Sequence, residues 1–253
     1  MMSKPESMSA AEWQARCELA ALYRLIAHFR MTDLIDTHLT LRVPGPEAHF
    51  LINHYGVLFE HMKASDLILI DQHGHKVGAS LDDNKVVNVA GFVIHSAIHM
   101  ARHDLTCVIH THTASGMAVS AQEQGLLPIT QHALKFYGKL AYHTYEGIAL
   151  SLEERQRLVA DLGPHRAMIL RNHGLLVGGG SVAKAFHEIF FLERACQAQI
   201  QALAGGARLV YPSSEVCEHT ASQFESPEAD AIIDMAWQAA LALIEPQRES
   251  YAS

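Results

Sequence analysis

Residues 107–116 read CVIHTHTASG. Cys107, Val108 and Ile109 form an apolar run of the kind that builds a buried strand. His110 and His112 follow at its end. On a strand, side chains at i and i+2 leave the same face. The two imidazoles therefore converge beside the sheet if the strand persists that far. At this spacing they can grip one divalent metal, with bonds of about 2.0–2.1 Å for zinc. Two polar residues facing water at a strand exit would look the same, so the pair alone decides nothing.

A second stretch bears on the choice. Residues 169–180 read ILRNHGLLVGGG, which places His173 just past another apolar strand. The plain alternative is a turn residue before Gly174. A third imidazole at a neighbouring strand end would complete a three-histidine set with open positions. Catalytic metal sites have that layout, whereas structural zinc sites close all four positions.

The rest of the chain supplies a frame for these strands. A helix is expected over residues 10–28, with Leu19, Leu22, Tyr23 and Ile26 at helical spacing. Short strands follow in DTHLTLRV, HFLIN and DLILID, separated by turn signals at Pro44-Gly45 and His73-Gly74. Residues 89–102 read as a helix despite Gly91, and LTCVIHTH as a strand. SLEERQRLVADLG carries a capping box, Ser151 with Glu154, at its helix start. RAMILRNHG reads as a strand ending in a turn. Residues 181–203 form a long helix capped by Ser181 and ended by Gly205-Gly206. Strands and helices mix without strict alternation, so the class is α/β with one mixed sheet. Three segments are expected: a disordered lead at 1–10, a domain at 11–206, and a C-terminal extension at 207–253. The extension is read as a polar loop and a terminal helix.

Composition narrows the partners. The 253 residues are 49% hydrophobic and carry a net charge of −8. No basic stripe points to nucleic acid or an anionic membrane. No apolar run is long enough to span a bilayer, and the N-terminus lacks a signal-peptide core. Cys17, Cys107, Cys196 and Cys217 are scattered, which suits a reducing cytoplasm. The expected partner is a small molecule.

VIHTH followed by LRNHGLL, with HSAIHMARHD upstream, resembles the class II aldolase/adducin family over residues 12–206. GLLPIT and AFHEIFFLERACQAQI resemble its adducin-head branch most. The resemblance implies a three-layer fold, a central mixed β-sheet flanked by helices, assembled as a homotetramer with sites at subunit interfaces. It makes His110, His112 and His173 the ligands of one divalent metal, with zinc the first choice and iron, manganese or cobalt as alternatives. Such a metal acts as a Lewis acid on a keto-sugar and stabilises the enediolate, while a carboxylate moves the proton.

The chain departs from that pattern where the carboxylate should be. Val89, Ala90 and Gly91 stand where the family's aldolases have Ser-Ser-Glu. Thr37-His38 replaces a Gly-Asn pair of their phosphate cradle, and Tyr55-Gly56 a Thr-Gly pair. These losses point to an unphosphorylated oxygenated substrate, because a phosphate needs several donors. His95, one turn after Gly91, is a candidate base, fourth ligand or buried structural histidine. Tyr137, Tyr142 and Tyr145 are candidate phenolic donors, Tyr137 foremost. Thr37, His38, Asn53, Gly56 and His132 are candidate substrate contacts. His99 and His103 read as surface or packing residues, Arg171 and Asn172 as loop supports. Glu188 and Glu193 read as a solvated or intersubunit face.

Three functions follow. One is a metal-dependent aldolase-like lyase. Another is a non-catalytic oligomerisation module like an adducin head, for which actin binding is not expected because the Lys-rich tail is missing. A third is a three-histidine Fe(II) oxygenase of the same fold.

Overall fold

The computed structural model describes residues 5–6, 8–45, 47–78, 84–147 and 152–253. Ser151 and half of the expected N-terminal lead lie outside the described residues, as do the side chains of Val89 and Ala90. Helix α1 spans Ala10–His28, and its first turn is capped by the Ser9 side chain accepting from the Glu12 N–H. Strands β1 (His38–Arg42), β2 (Phe50–Ile52) and β3 (Ile68–Ile70) follow. Then come α2 (Val89–Ala101), β4 (Cys107–Thr111), α3 (Ala114–Ser120), α4 (Gln131–Leu134) and β5 (Leu140–His143). The chain continues through α5 (Leu152–Leu162), β6 (Ala167–Leu170), β7 (Gly174–Gly179), α6 (Val182–Leu203), α7 (Ser214–Gln223) and α8 (Ala229–Ile244).

The seven strands form one sheet in the order β3-β2-β1-β4-β7-β6-β5. Every pair is antiparallel except β5–β6. Alternation along β1 and β4 separates two cores. Leu39, Leu41, Cys107 and Ile109 face α1 and α6, packing with Leu19, Leu22, Ile189 and Leu192. Val108 faces the other way, with Ile94 and Ile98 of α2 and Leu158 and Leu162 of α5. By the same alternation His38, Thr40 and His110 share the α2 face.

Several expectations need correction. No strand was expected beyond the turn at His173, yet β7 is central in the sheet. Its glycines lower strand propensity, but packing demands them. A Cβ on Gly178 would press on the Leu105 side chain, and one on Gly179 would collide with the α6 backbone at Ala185. Residues 214–223, expected as a polar loop, form α7, which buries only Cys217 and Ala221. The terminal helix α8 lays Ile233, Trp237, Ala240 and Ile244 on the protein, with Trp237 against Phe186 of α6 at 5.6 Å between ring centroids. Glu188 and Glu193 are not solvated. Both are buried; Glu188 pairs with Lys135 at 2.8 Å, and Glu193 accepts from the Thr113 hydroxyl.

Candidate metal centre

Strand β4 ends at Thr111, one residue short of His112. The chain nevertheless turns so that the His112 ring faces His110. His173 arrives from the tight turn between β6 and β7, where Asn172 adopts a left-handed backbone at φ 55°. The His173 amide closes that turn on the Leu170 carbonyl. The three ring centroids form a near-equilateral triangle with sides of 4.5, 4.7 and 4.7 Å. One nitrogen from each ring lies within 4.8 Å of the other two.

The hydrogen bonds settle which nitrogens point inward. His110 Nδ1 lies 2.9 Å from the Leu175 carbonyl, which can only accept. His110 therefore carries its proton on Nδ1 and leaves Nε2 bare. His112 Nδ1 lies 3.0 Å from Asp33 Oδ2 and donates to it, which in the neutral ring leaves Nε2 bare too. The two bare nitrogens face each other at 2.8 Å. Two lone pairs at that distance repel; a cation between them removes the repulsion. Burial, together with the neighbouring His173 and His112, holds the His110 imidazole well below the usual range. Burial first, then His112 and His143, lowers His173 to about 4. His110 and His173 are thus neutral donors at neutral pH. Each ligand histidine with a partner on its outer nitrogen is the usual way proteins orient metal sites. Replacing Asp33 by Ala should weaken metal binding by about 10–100-fold, read by competition with a chelator.

Asp33 was not foreseen from the sequence. It sits in the connection between α1 and β1, and no spacing rule ties it to His112. The His143–Asp161 contact, at 2.7 Å, was also missed. His143 lines a small cavity beside His173, which Tyr145 also lines. Among the candidate phenols, Tyr145 stands by the triad, its ring 6.1 Å from that of His173. Tyr142 accepts from the Leu126 N–H. Tyr137 follows α4, and no hydrogen bond or ring contact joins it to the three histidines. His132 stacks on Phe191 of α6 at 4.7 Å, away from the triad.

Behind His110, α2 and β1 are joined by a fixed relay. His99 Nδ1 donates to the Leu105 carbonyl at 3.2 Å, so its Nε2 accepts. The Thr40 hydroxyl gives its single proton to that Nε2 at 2.8 Å. Thr40 then accepts from His95 Nδ1, also at 2.8 Å, and His95 Nε2 is left bare, buried and without a partner. His99 is therefore neither surface nor simple packing; His103 is exposed, as expected. Thr40→Val keeps the shape but strands two buried imidazole nitrogens. It should cost roughly 2–6 kcal/mol in urea unfolding, at about 1–3 per unsatisfied group, while Thr40→Ser should cost much less.

The remaining candidates cluster at the start of β1. Thr37 is buried and held at φ 70°, a strained backbone for a β-branched residue. Asn53 is buried and accepts from the Tyr23 hydroxyl at 3.0 Å. Gly56, at φ 99°, occupies a turn that suits glycine. Arg171 supports its loop, donating to the Gln122 carbonyl at 2.6 Å.

Residues 17–200 match the family described as class II aldolase and adducin N-terminal domain. The chain belongs to that family. Its fold superposes on an aldolase II superfamily protein from Pseudomonas syringae with a TM-score of 0.90 at 50% identity, covering 97% of this chain and 98% of the other. An L-fuculose 1-phosphate aldolase from Glaciozyma antarctica PI12 gives 0.84 at 30% identity, with 98% and 96% covered. Alpha-adducin from Rattus norvegicus is 45% identical over 190 residues, which are 75% of this chain but 26% of the adducin. Class II aldolases as a class depend on divalent metals, and the three-histidine group is present here. Among the described residues no helix is long and apolar enough to cross a membrane.

Proposed function

We propose that His110, His112 and His173 hold one divalent metal, zinc before iron, manganese or cobalt. The protein then acts as an aldolase-like lyase on an unphosphorylated oxygenated small molecule. The observation that carries this reading is the pair of bare Nε2 atoms facing each other at 2.8 Å, each fixed by a bond on its outer nitrogen. When bound, the metal supplies Lewis acidity to a carbonyl or enolate oxygen. Asp33 and the Leu175 carbonyl orient the ligands. The relay from Leu105 through His99 and Thr40 keeps His95 neutral with its free nitrogen bare. Tyr145 flanks His173 and is exposed, so it is placed to shield or contact whatever enters. We place the enzyme in the cytoplasm as a homotetramer.

Metal-loaded protein incubated with unphosphorylated hydroxy-ketones and hydroxy-aldehydes should release a new aldehyde, and His173→Ala should abolish it. A second reading is favoured by one observation: Gly91 offers no carboxylate, and the similarity to alpha-adducin is strong. In that reading the chain is a non-catalytic oligomerisation module. It predicts no cleavage of any such compound and no effect of His110 on assembly.

A further inference from the structure

The space beside Gly91 is not open. A Cβ placed there would fall onto the ring of His38, at its Cγ, Cδ2 and Nε2. His38 begins β1 directly opposite His110 in the antiparallel ladder, so the two side chains leave one face together. The His38 side chain is buried, with residual exposure of 5% for the residue, and its Nδ1 has no hydrogen-bond partner. Its ring stands edge-on to that of His95, 6.0 Å away. His95 Nε2, Thr37 Oγ1 and Asn53 Nδ2 are likewise buried without partners. Asn53 lies within hydrogen-bonding reach of the His38 ring. Buried polar atoms left unpaired are costly, and native proteins tolerate few of them. Two of the four, on His38 and His95, belong to residues beside His110 and His112.

We infer that His38 is a ligand-contacting residue seated where a side chain at position 91 would project, and that Gly91 is glycine in order to admit it. The group it receives is a hydroxyl of a neutral compound. His95 Nε2 can only accept, and His38 Nδ1 donates or accepts according to its tautomer. A hydroxyl matches that mixture, whereas an anion would meet the bare lone pair of His95. The inference rests on the metal reading for the anchoring of the compound's other end, but the pairing of His38 with Gly91 does not.

Two measurements test it. The first is a thermal cycle on the full chain: parent, Gly91→Ala, His38→Ala and the double variant. Gly91 lies within a helix, where alanine is normally the better residue. With His38 present, Gly91→Ala should instead lower the melting temperature by roughly 5 °C, the cost of overpacking a filled site. With His38→Ala it should not lower it. If Gly91→Ala fails to fold, recovery in the double variant carries the same meaning. Equal shifts in both backgrounds would overturn the pairing. The second uses cobalt(II)-loaded protein titrated with dihydroxyacetone, followed by visible absorption. His38→Ala should weaken the apparent affinity at least about tenfold, the scale of one lost hydrogen bond, with cobalt stoichiometry unchanged. Unchanged affinity, or no response from cobalt-loaded parent, overturns the contact. A parent chain that takes up no cobalt contradicts the metal reading instead, and the thermal cycle still decides the pairing.

Discussion

Protein carrying His110→Ala is expected to lose its metal, with affinity falling by at least about 100-fold. Losing even an outer partner of a ligand costs 10–100-fold, and His110 is itself a ligand. It is also the most enclosed of the three, on a central strand with its Nδ1 bonded to the Leu175 carbonyl. Without it, His112 and His173 offer two nitrogens at the end of a sheet, too few to hold a divalent ion against water. His173→Ala should show the same loss. The fold should survive both changes, because β4 stays paired on both sides through backbone bonds. Elemental analysis after dialysis measures the metal, and circular dichroism with size-exclusion chromatography confirms a folded assembly. Metal content unchanged in both variants would overturn the three-histidine assignment.

Acid should unfold the protein earlier than its carboxylates alone would explain. His99 has no exposed surface. It stacks on Phe50 at 4.6 Å between centroids, and Thr40 and the Leu105 carbonyl take its nitrogens. Arg42 and His95 are the other titratable groups beside it. Burial first, then Arg42, lowers its pKa to about 3, against a partial offset from the Leu105 carbonyl. The unfolded chain binds a proton near 6.5, whereas the folded chain refuses it. Its stabilising effect is therefore fully present above 6.5 and is lost as pH falls toward 3. The slope is about 1.4 kcal/mol per pH unit. Urea unfolding should give a stability lower by about 2 kcal/mol at pH 5 than at pH 7 from this group. His99→Gln should flatten the profile by that amount. An identical profile in the variant would show that His99 does not stay neutral in the folded protein.

The fold was largely legible because its strands carry strong local signals. Apolar runs ending in His110 and before His173, and the period of α1, α2 and α6, needed no tertiary information. β7 was not legible because its glycines answer to α6 and Leu105, partners distant in the sequence. α7 was missed because its buried stripe consists of two small residues. The burial of Glu188 and Glu193 depends on α3 and α4 folding over α6, which helical periodicity alone does not reveal.

At the site, strand periodicity and turn position marked the three histidines as candidates, and the family resemblance grouped them around one metal. Their support could not. Asp33 reaches His112 from a connecting segment, and nothing in its neighbourhood marks it. The histidines at 95 and 99 looked like one helix face. Their meaning comes from Thr40, which alternation along β1 places on the same side of the sheet. The loss of a carboxylate at Gly91 was visible, but not what replaced it. That required seeing the ring of His38 in the space, a contact between residues far apart in the sequence.

Metal content per chain, measured by mass spectrometry on tag-free protein purified without added metal, tests the central claim most directly. The account predicts about one equivalent of a divalent transition metal, zinc before the others; iron would direct the search to oxygen chemistry. No bound metal, even after incubation with zinc and dialysis, would contradict it and leave the adducin-like module as the better reading.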